Sequence, residues 1–331
     1  MSRAARRWLA PLSPLYGCGV ALRGFALRAG LERVRSLGSP VVSVGNLSTG
    51  GAGKTPLTIA LARGLVERGL AVDVLSRGYG RSDKGVARVD VNGSVERFGD
   101  EPLVIAREAG VPVFVAAKRY EAGVLAESER GAGVHLLDDG FQHRQLARDV
   151  DVLLVSGADL HDRLLPAGNL REPLAAMRRT SVIALTMPEA PEVERELVSR
   201  GLWNGPVWRL ERRMAVPKID GPVVAFCGIA RPEQFFAGLE NAGLHVASRI
   251  AFADHQRYVR HDMDCILDAA RTAGARALIT TEKDHVRLAA LVDAIPAELK
   301  LETAGLRIEI DDEDAAIDWV ISRISNRKLT P

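Results

Sequence analysis

A chain of 331 residues, 47% hydrophobic and 26% charged, is long enough to bury more than one core and too apolar to be disordered. A net charge of +2, with no basic stretch interleaved with aromatics, excludes recognition of nucleic acid by bulk electrostatics. Cys18, Cys227 and Cys265 are scattered without CxxC spacing, which excludes a disulfide framework and a zinc site and fits a reducing, cytoplasmic setting.

Residues 1–35 carry Arg3, Arg6, Arg7, Arg23, Arg28, Arg33 and Arg35 against the single acid Glu32. Apolar residues from Trp8 to Leu27 are interrupted by Pro11, Pro14 and arginines, whereas a bilayer span needs about 20 uninterrupted apolar residues. A cleaved signal is disfavoured by the arginine inside the apolar region and by the lack of a small-residue cleavage site. Two readings stay open: an amphipathic arm that meets anionic headgroups, or an arm packed on its own domain.

The apolar run 41–44 leads into Ser48-Thr49-Gly50-Gly51-Ala52-Gly53-Lys54-Thr55, and helical periodicity begins at Leu57. Strand, glycine-rich loop and helix in this order form a phosphate-binding loop. The glycines let backbone N–H groups curl around phosphate oxygens, and the helix presents its positive end. Lys54 is placed to reach the β and γ phosphates of ATP, and Thr55 to put its hydroxyl on Mg2+. Pro56 is harmless in a first turn. Ser48 stands where the usual pattern has glycine, which leaves the geometry unchanged.

Beyond the loop, strands are expected at 71–75, 111–115, 134–137, 150–155 and 181–186, and helices at 57–66, 120–128 and 193–200. Strands that are apolar throughout, alternating with helices, predict a parallel sheet covered on both faces. The glycine-rich loops Ser76 to Arg81 and Leu165 to Pro173 carry arginines suited to phosphate or an anionic sugar. Gly99-Asp100-Glu101-Pro102 reads either as a helix cap or as a carboxylate that takes a proton from an attacking hydroxyl. Asp138-Asp139 ends an apolar strand, the place from which a phosphate-loop enzyme brings an acid to its metal, and also a common place for turn formers.

After the proline- and glycine-containing stretch 205–222, a second series follows. It comprises strands 223–227, 245–251 and 277–280, with helices 232–242, 263–273 and 285–294. Extended runs at 207–212 and 306–310 flank it and are expected to pair as a two-stranded connector. A closing helix 311–324 would be capped by Asp311 or Asp312. Asp254-His255 adds an imidazole able to share proton acceptance across a cleft.

As an ordered set, Ser43-Val44-Gly45-Asn46-Leu47, the loop 50–56, Ser76 to Arg81, Gly99 to Pro102, Asp138-Asp139-Gly140-Phe141-Gln142-His143, Leu165 to Pro173 and Thr281-Glu282-Lys283-Asp284 resemble the tetraacyldisaccharide 4'-kinase family of lipid A biosynthesis, from the arm to about residue 290. The resemblance implies transfer of the γ-phosphoryl of ATP, with Mg2+, to the 4'-hydroxyl of a tetraacylated glucosamine disaccharide 1-phosphate. It places the protein at the cytoplasmic face of the bacterial inner membrane, as a peripheral and monomeric enzyme without nucleic acid.

The implied fold is a P-loop-containing α/β/α sandwich with a second, smaller α/β/α domain joined by a two-stranded linker. The boundaries are an arm 1–35, a kinase domain 36–204, a linker 205–220, a smaller domain 221–304, and a returning strand and helix 305–331. By motif, Ser48 to Thr55 cradle the nucleotide. Thr55, Asp138, Asp139 and Glu101 serve the metal, while Lys54, Asp100 and His255 form the catalytic set, Asp100 paired with His255 as base. Glu101, Arg119, Arg171 and Glu172 match positions that support nucleotide, metal or transition state. Tyr79 and His143 lie towards the lipid headgroup, and with Arg77, Arg119, Arg171 and Glu172 they complete the substrate side. Gln256 departs from a frequent histidine and Asn169 from a frequent proline. The rival expectation is a nucleotide-driven switch of the partitioning or metallochaperone type, many of which have lysine where this chain has Thr49.

Overall fold

The structure, a computed structural model, describes residues 7–51, 53–131 and 133–325. Arg3 and Arg6 of the arm and Ala52 of the loop lie outside the described residues. Among the described residues twelve strands form one sheet. In chain order they are β1 (Val41–Asn46), β2 (Val72–Ser76), β3 (Ala87–Arg88), β4 (Val113–Val115), β5 (Val134–Leu137), β6 (Val150–Val155), β7 (Val182–Thr186), β8 (Val207–Ala215), β9 (Pro222–Cys227), β10 (His245–Ala251), β11 (Ala277–Thr281) and β12 (Lys300–Ile310). Their order across the sheet is β10-β9-β11-β12-β8-β7-β6-β1-β5-β2-β4-β3. All pairings are parallel except β3 with β4 and β8 with β12.

Every residue of β1, β2, β5 and β6 is buried, as strands covered on both faces must be. The edge strand β10 has no buried position. β1 sits between β5 and β6, while the chain leaving it crosses to β2 beyond β5. This reversal opens a crevice at the carboxyl ends of the strands, where α/β sheets bind ligands. Gly45 in β1 permits a close approach there, since a Cβ would lie 2.5 Å from that of Phe141.

The connector strands are longer than the sequence suggests and belong to the sheet at both ends. The first part of β8 pairs with β7 and the rest with β12, from Leu210↔Ile310 to Ala215↔Gly305. The first half of β12 pairs with β11. Apolar residues gather in separate clusters on either side of this ribbon. One set centres on β1, β2 and β6, the other on β9 and β11.

Helix Lys54–Glu67 begins three residues before its apolar periodicity, because its first turn faces the loop. Helix Asp100–Ala109 starts directly after Gly99 (φ 87°), so Gly99 to Pro102 does open a helix, as one of its two sequence readings had it. The expected helix 285–294 is a seven-residue helix, Glu282–Leu288, followed by a 3-10 turn, Ala289–Ala294. Asp312 caps the closing helix Glu313–Ser325, its Oδ1 accepting from the Ala315 N–H at 3.2 Å.

The arm forms a 3-10 turn, Arg7–Leu12, and a helix, Ser13–Arg28. One side packs on the body: Ser13 donates to the Leu164 carbonyl at 3.0 Å, Tyr16 to that of Arg171 at 3.0 Å, and Gly24 and Leu27 are buried. The other side leaves Trp8, Leu12, Leu15, Leu22 and Phe25 exposed. Among the described residues no helix is long and apolar enough to cross a membrane.

Candidate active site

The loop after β1 is stitched to segment 169–171. The Thr49 N–H donates to the Asn169 carbonyl at 2.8 Å, the Arg171 N–H donates to that of Leu47 at 2.7 Å, and Ser48 bridges Leu170. Gly50 (φ 116°) and Gly53 (φ 93°) occupy left-handed backbone, which glycine adopts without strain. Lys54 Nζ lies 3.4 Å from the Gly50 carbonyl, curled over the loop, and 3.7 Å from Asp139 Oδ1. Thr55 and Gly51 flank the same turn at the helix N-terminus, a donor-rich end suited to phosphate.

Asp138 and Asp139 follow β5 directly. Asp138 is buried, accepts from Thr58 Oγ1 at 3.2 Å, and has its pKa raised to about 7 by burial and by the charges of Glu101 and Asp139. Asp139 takes a left-handed turn (φ 49°) that aims its carboxylate at Arg171, with contacts of 3.1 and 2.9 Å. Burial alone would raise its pKa, but Arg171, Lys54 and Arg119 outweigh burial and lower it. Carboxylates and a threonine hydroxyl are hard oxygen donors that fit Mg2+. Among the described residues no three acidic, histidine or cysteine side chains converge as a complete metal site.

Asp100 opens its helix with the carboxylate buried. Oδ1 accepts from the Glu101 N–H at 2.9 Å, and Oδ2 lies 3.3 Å from His255 Nδ1 and 3.1 Å from Arg287 Nε. Burial raises the pKa of Asp100, but His255, Arg287 and Lys283 together hold it well below the usual carboxylate range. The Asp100 hydrogen bond raises that of His255, whose ring is half-exposed. Glu101 pairs with Lys283 at 2.6 Å. The charges of Asp100 and Asp138 both act on Lys283, so the two groups of acids adjoin.

On the third side, Arg119 is buried, with its Nε unpartnered and its pKa lowered to about 10 by burial. Burial and the arginines Arg119, Arg148, Arg23 and Arg77 push His143 down to about 3. Arg77 stays exposed. Tyr79, 66% exposed, tilts over His255 at 6.1 Å between ring centroids. Glu172 is buried and pairs with Arg179 at 2.7 Å.

Sequence reasoning missed Arg287, which a single arginine in a helical run does not announce. Its offset of three from Asp284, next to the Thr281-Glu282-Lys283-Asp284 motif, was the available signal.

The family model for tetraacyldisaccharide-1-P 4'-kinase (LpxK) matches residues 5–325. A tetraacyldisaccharide 4'-kinase of Koribacter versatilis is 42% identical over 96% of this chain and 99% of its own length. One of Geobacter sulfurreducens is 41% identical over 85% of this chain and 84% of its own. The crystal structure of LpxK from Aquifex aeolicus in complex with ATP superposes with a TM-score of 0.78 at 32% identity, covering 97% of this chain and 99% of that one.

Proposed function

The chain belongs to the tetraacyldisaccharide 4'-kinase family of lipid A biosynthesis, and we propose that it transfers the γ-phosphoryl of ATP to the 4'-hydroxyl of a tetraacylated disaccharide 1-phosphate. The observation that carries the assignment of roles is the meeting of the two groups of acids at Glu101 and Lys283. A triphosphate held at Lys54 then lies beside a carboxylate–imidazole pair.

The loop 48–55 cradles the phosphates, and Lys54 meets the spreading negative charge of the transition state. Thr55, Asp138 and Asp139, with Glu101 behind, would hold Mg2+, which neutralises charge on the β and γ phosphates. Asp100 with His255 orients the acceptor hydroxyl and takes its proton, while Arg77, Tyr79, Arg119, His143 and Arg171 face the headgroup. Glu172 acts through Arg179, which lies over the Phe141 ring at 4.4 Å. The two cores on either side of the β8–β12 ribbon are the larger and smaller domains, and their closure would exclude water.

The acyl chains stay in the bilayer, so the enzyme works at the cytoplasmic leaflet of the inner membrane. The exposed face of the arm, from Trp8 to Phe25, dips into the interface with Arg23 and Arg28 near the headgroups. The protein acts as a monomer, which light scattering in detergent checks. Incubation with radiolabelled ATP and a defined tetraacyl disaccharide 1-phosphate tests the whole: a 4'-phosphorylated lipid is expected. ADP release that ignores the lipid would favour the nucleotide-switch reading instead.

A further inference from the structure

On the reading that Asp100 and His255 accept the hydroxyl proton, we infer that Arg287 is the positioning residue that holds Asp100 in place for the transfer, reaching it from the far side of the β8–β12 ribbon. Asp100 and Arg287 are 187 residues apart in sequence. Arg287 Nε donates to Asp100 Oδ2 at 3.1 Å, and Nη2 closes a second bond to the same oxygen. Both side chains are 5% exposed, so the pair is shielded from competing water.

The guanidinium is itself fixed. Nη1 donates to the Gly228 carbonyl at 2.8 Å and to Asp284 Oδ1 at 2.9 Å. Asp284 is wholly buried and held by the Gly228 N–H at 3.0 Å and by the Thr281 hydroxyl at 2.6 Å. The backbone N–H of His255 donates to the same Gly228 carbonyl at 3.1 Å. One carbonyl therefore sets both the imidazole and the guanidinium against one carboxylate oxygen. Only glycine fits at 228, since a Cβ would lie 2.8 Å from that of Gln256 and 2.9 Å from the Ala253 carbonyl.

The arrangement differs from a simple latch between two domains. A latch needs only a net attraction, whereas here Oδ1 is fixed by the Asp100 helix itself and Oδ2 by two groups registered on Gly228. Without Arg287 the carboxylate would keep its burial but lose two hydrogen bonds to Oδ2, and would turn away from His255. Misplacement by about 1 Å costs about 10²-fold in rate.

The test uses the full chain with ATP, Mg2+ and tetraacyl disaccharide 1-phosphate, comparing Arg287→Met, Arg287→Lys, Asp100→Asn and the double variant Asp100→Asn/Arg287→Met. Arg287→Met is expected to lower kcat by about 10²-fold, with KM for both substrates within about threefold of wild type. Arg287→Lys should restore part of the loss, and Arg287→Met should change the Asp100→Asn enzyme by less than about twofold. Losses that multiply in the double variant, or a kcat for Arg287→Met within about threefold of wild type, would overturn the inference. Should Arg287→Met fail to fold by circular dichroism, Asp284→Asn, which frees the guanidinium, carries the same comparison. Wild-type turnover in Asp100→Asn alone would remove Asp100 as base and this role with it. A wild-type enzyme that leaves the lipid unphosphorylated would instead overturn the parent function.

Discussion

Around Lys54 the site is assembled from neighbours. β1, β5 and helix Lys54–Glu67 pack together in one parallel layer, and the loop is tied down by backbone bonds to residues 169–171. Around Asp100 it is assembled from segments distant in sequence, with His255, Lys283 and Arg287 arriving from beyond the β8–β12 ribbon. The nucleotide side is thus set by the folding of one sheet layer. The Asp100 side, the proposed proton acceptor, exists only while the two cores are docked, and substitutions should divide along that line.

The largest expected effect is on the nucleotide side. Lys54→Ala should cost about 10³-fold in kcat, or about 4 kcal/mol, with the fold intact by circular dichroism, because on the proposed mechanism it removes a charge aimed at the transferring phosphoryl. A loss under tenfold would take Lys54 out of the transition state. Within β5 itself, buried His135 lies 2.7 Å from Asp73 of β2 and 3.4 Å from Glu127. Burial by itself would depress the imidazole pKa, but the two carboxylates outweigh it and raise it. A raised folded value means that the stabilisation is fully present below the unfolded value of about 6.5 and fades as pH rises through the folded one. Asp73→Asn should therefore lower unfolding stability by about 3 kcal/mol near pH 6 and by less near pH 9. Denaturant melts at both values check this, and an equal loss at both would show that proton binding plays no part.

On the docked side, Asp100→Asn should lower kcat by about 10²-fold or more while nucleotide affinity, read by fluorescent ATP titration, stays near wild type. Weakened ATP binding would mean that the two sides are not separable. The smallest effect belongs to the arm. Leu22→Asp, which alters a residue 68% exposed, should reduce partition onto anionic vesicles by about tenfold and leave stability unchanged. Unaltered flotation with the vesicles would make the helix a packing element alone.

Legibility in the sequence follows the same division. Strands apolar at every position declare themselves, and so does a glycine-rich loop bearing Lys54-Thr55, because their physics is local; the paired acids Asp138-Asp139 read as more than turn formers only beside that loop. Of helix Asp100–Ala109 only the start was legible, as the cap reading of Gly99 to Pro102, with proline at home in the first turn. Spacing offered Arg287 only as a partner of Asp284; its bond to Asp100 is invisible in the sequence, since the two lie 187 residues apart and only the docked cores bring them together. The outer face of the arm was readable as composition. That Tyr16 and Ser13 would tie its inner face to the loops at 164 and 171 was not, because those hydroxyls find partners only in three dimensions.

β12 spends its first five residues against β11 and its last six against β8. Inserting one residue between Ala304 and Gly305 would keep either ladder only by reversing which side chains of the other face inward, so one core would be turned inside out. An unbroken ladder also resists sliding along its length. Whatever travel brings the two bodies together must therefore be a twist of this ribbon, with its axis already drawn by the strands themselves.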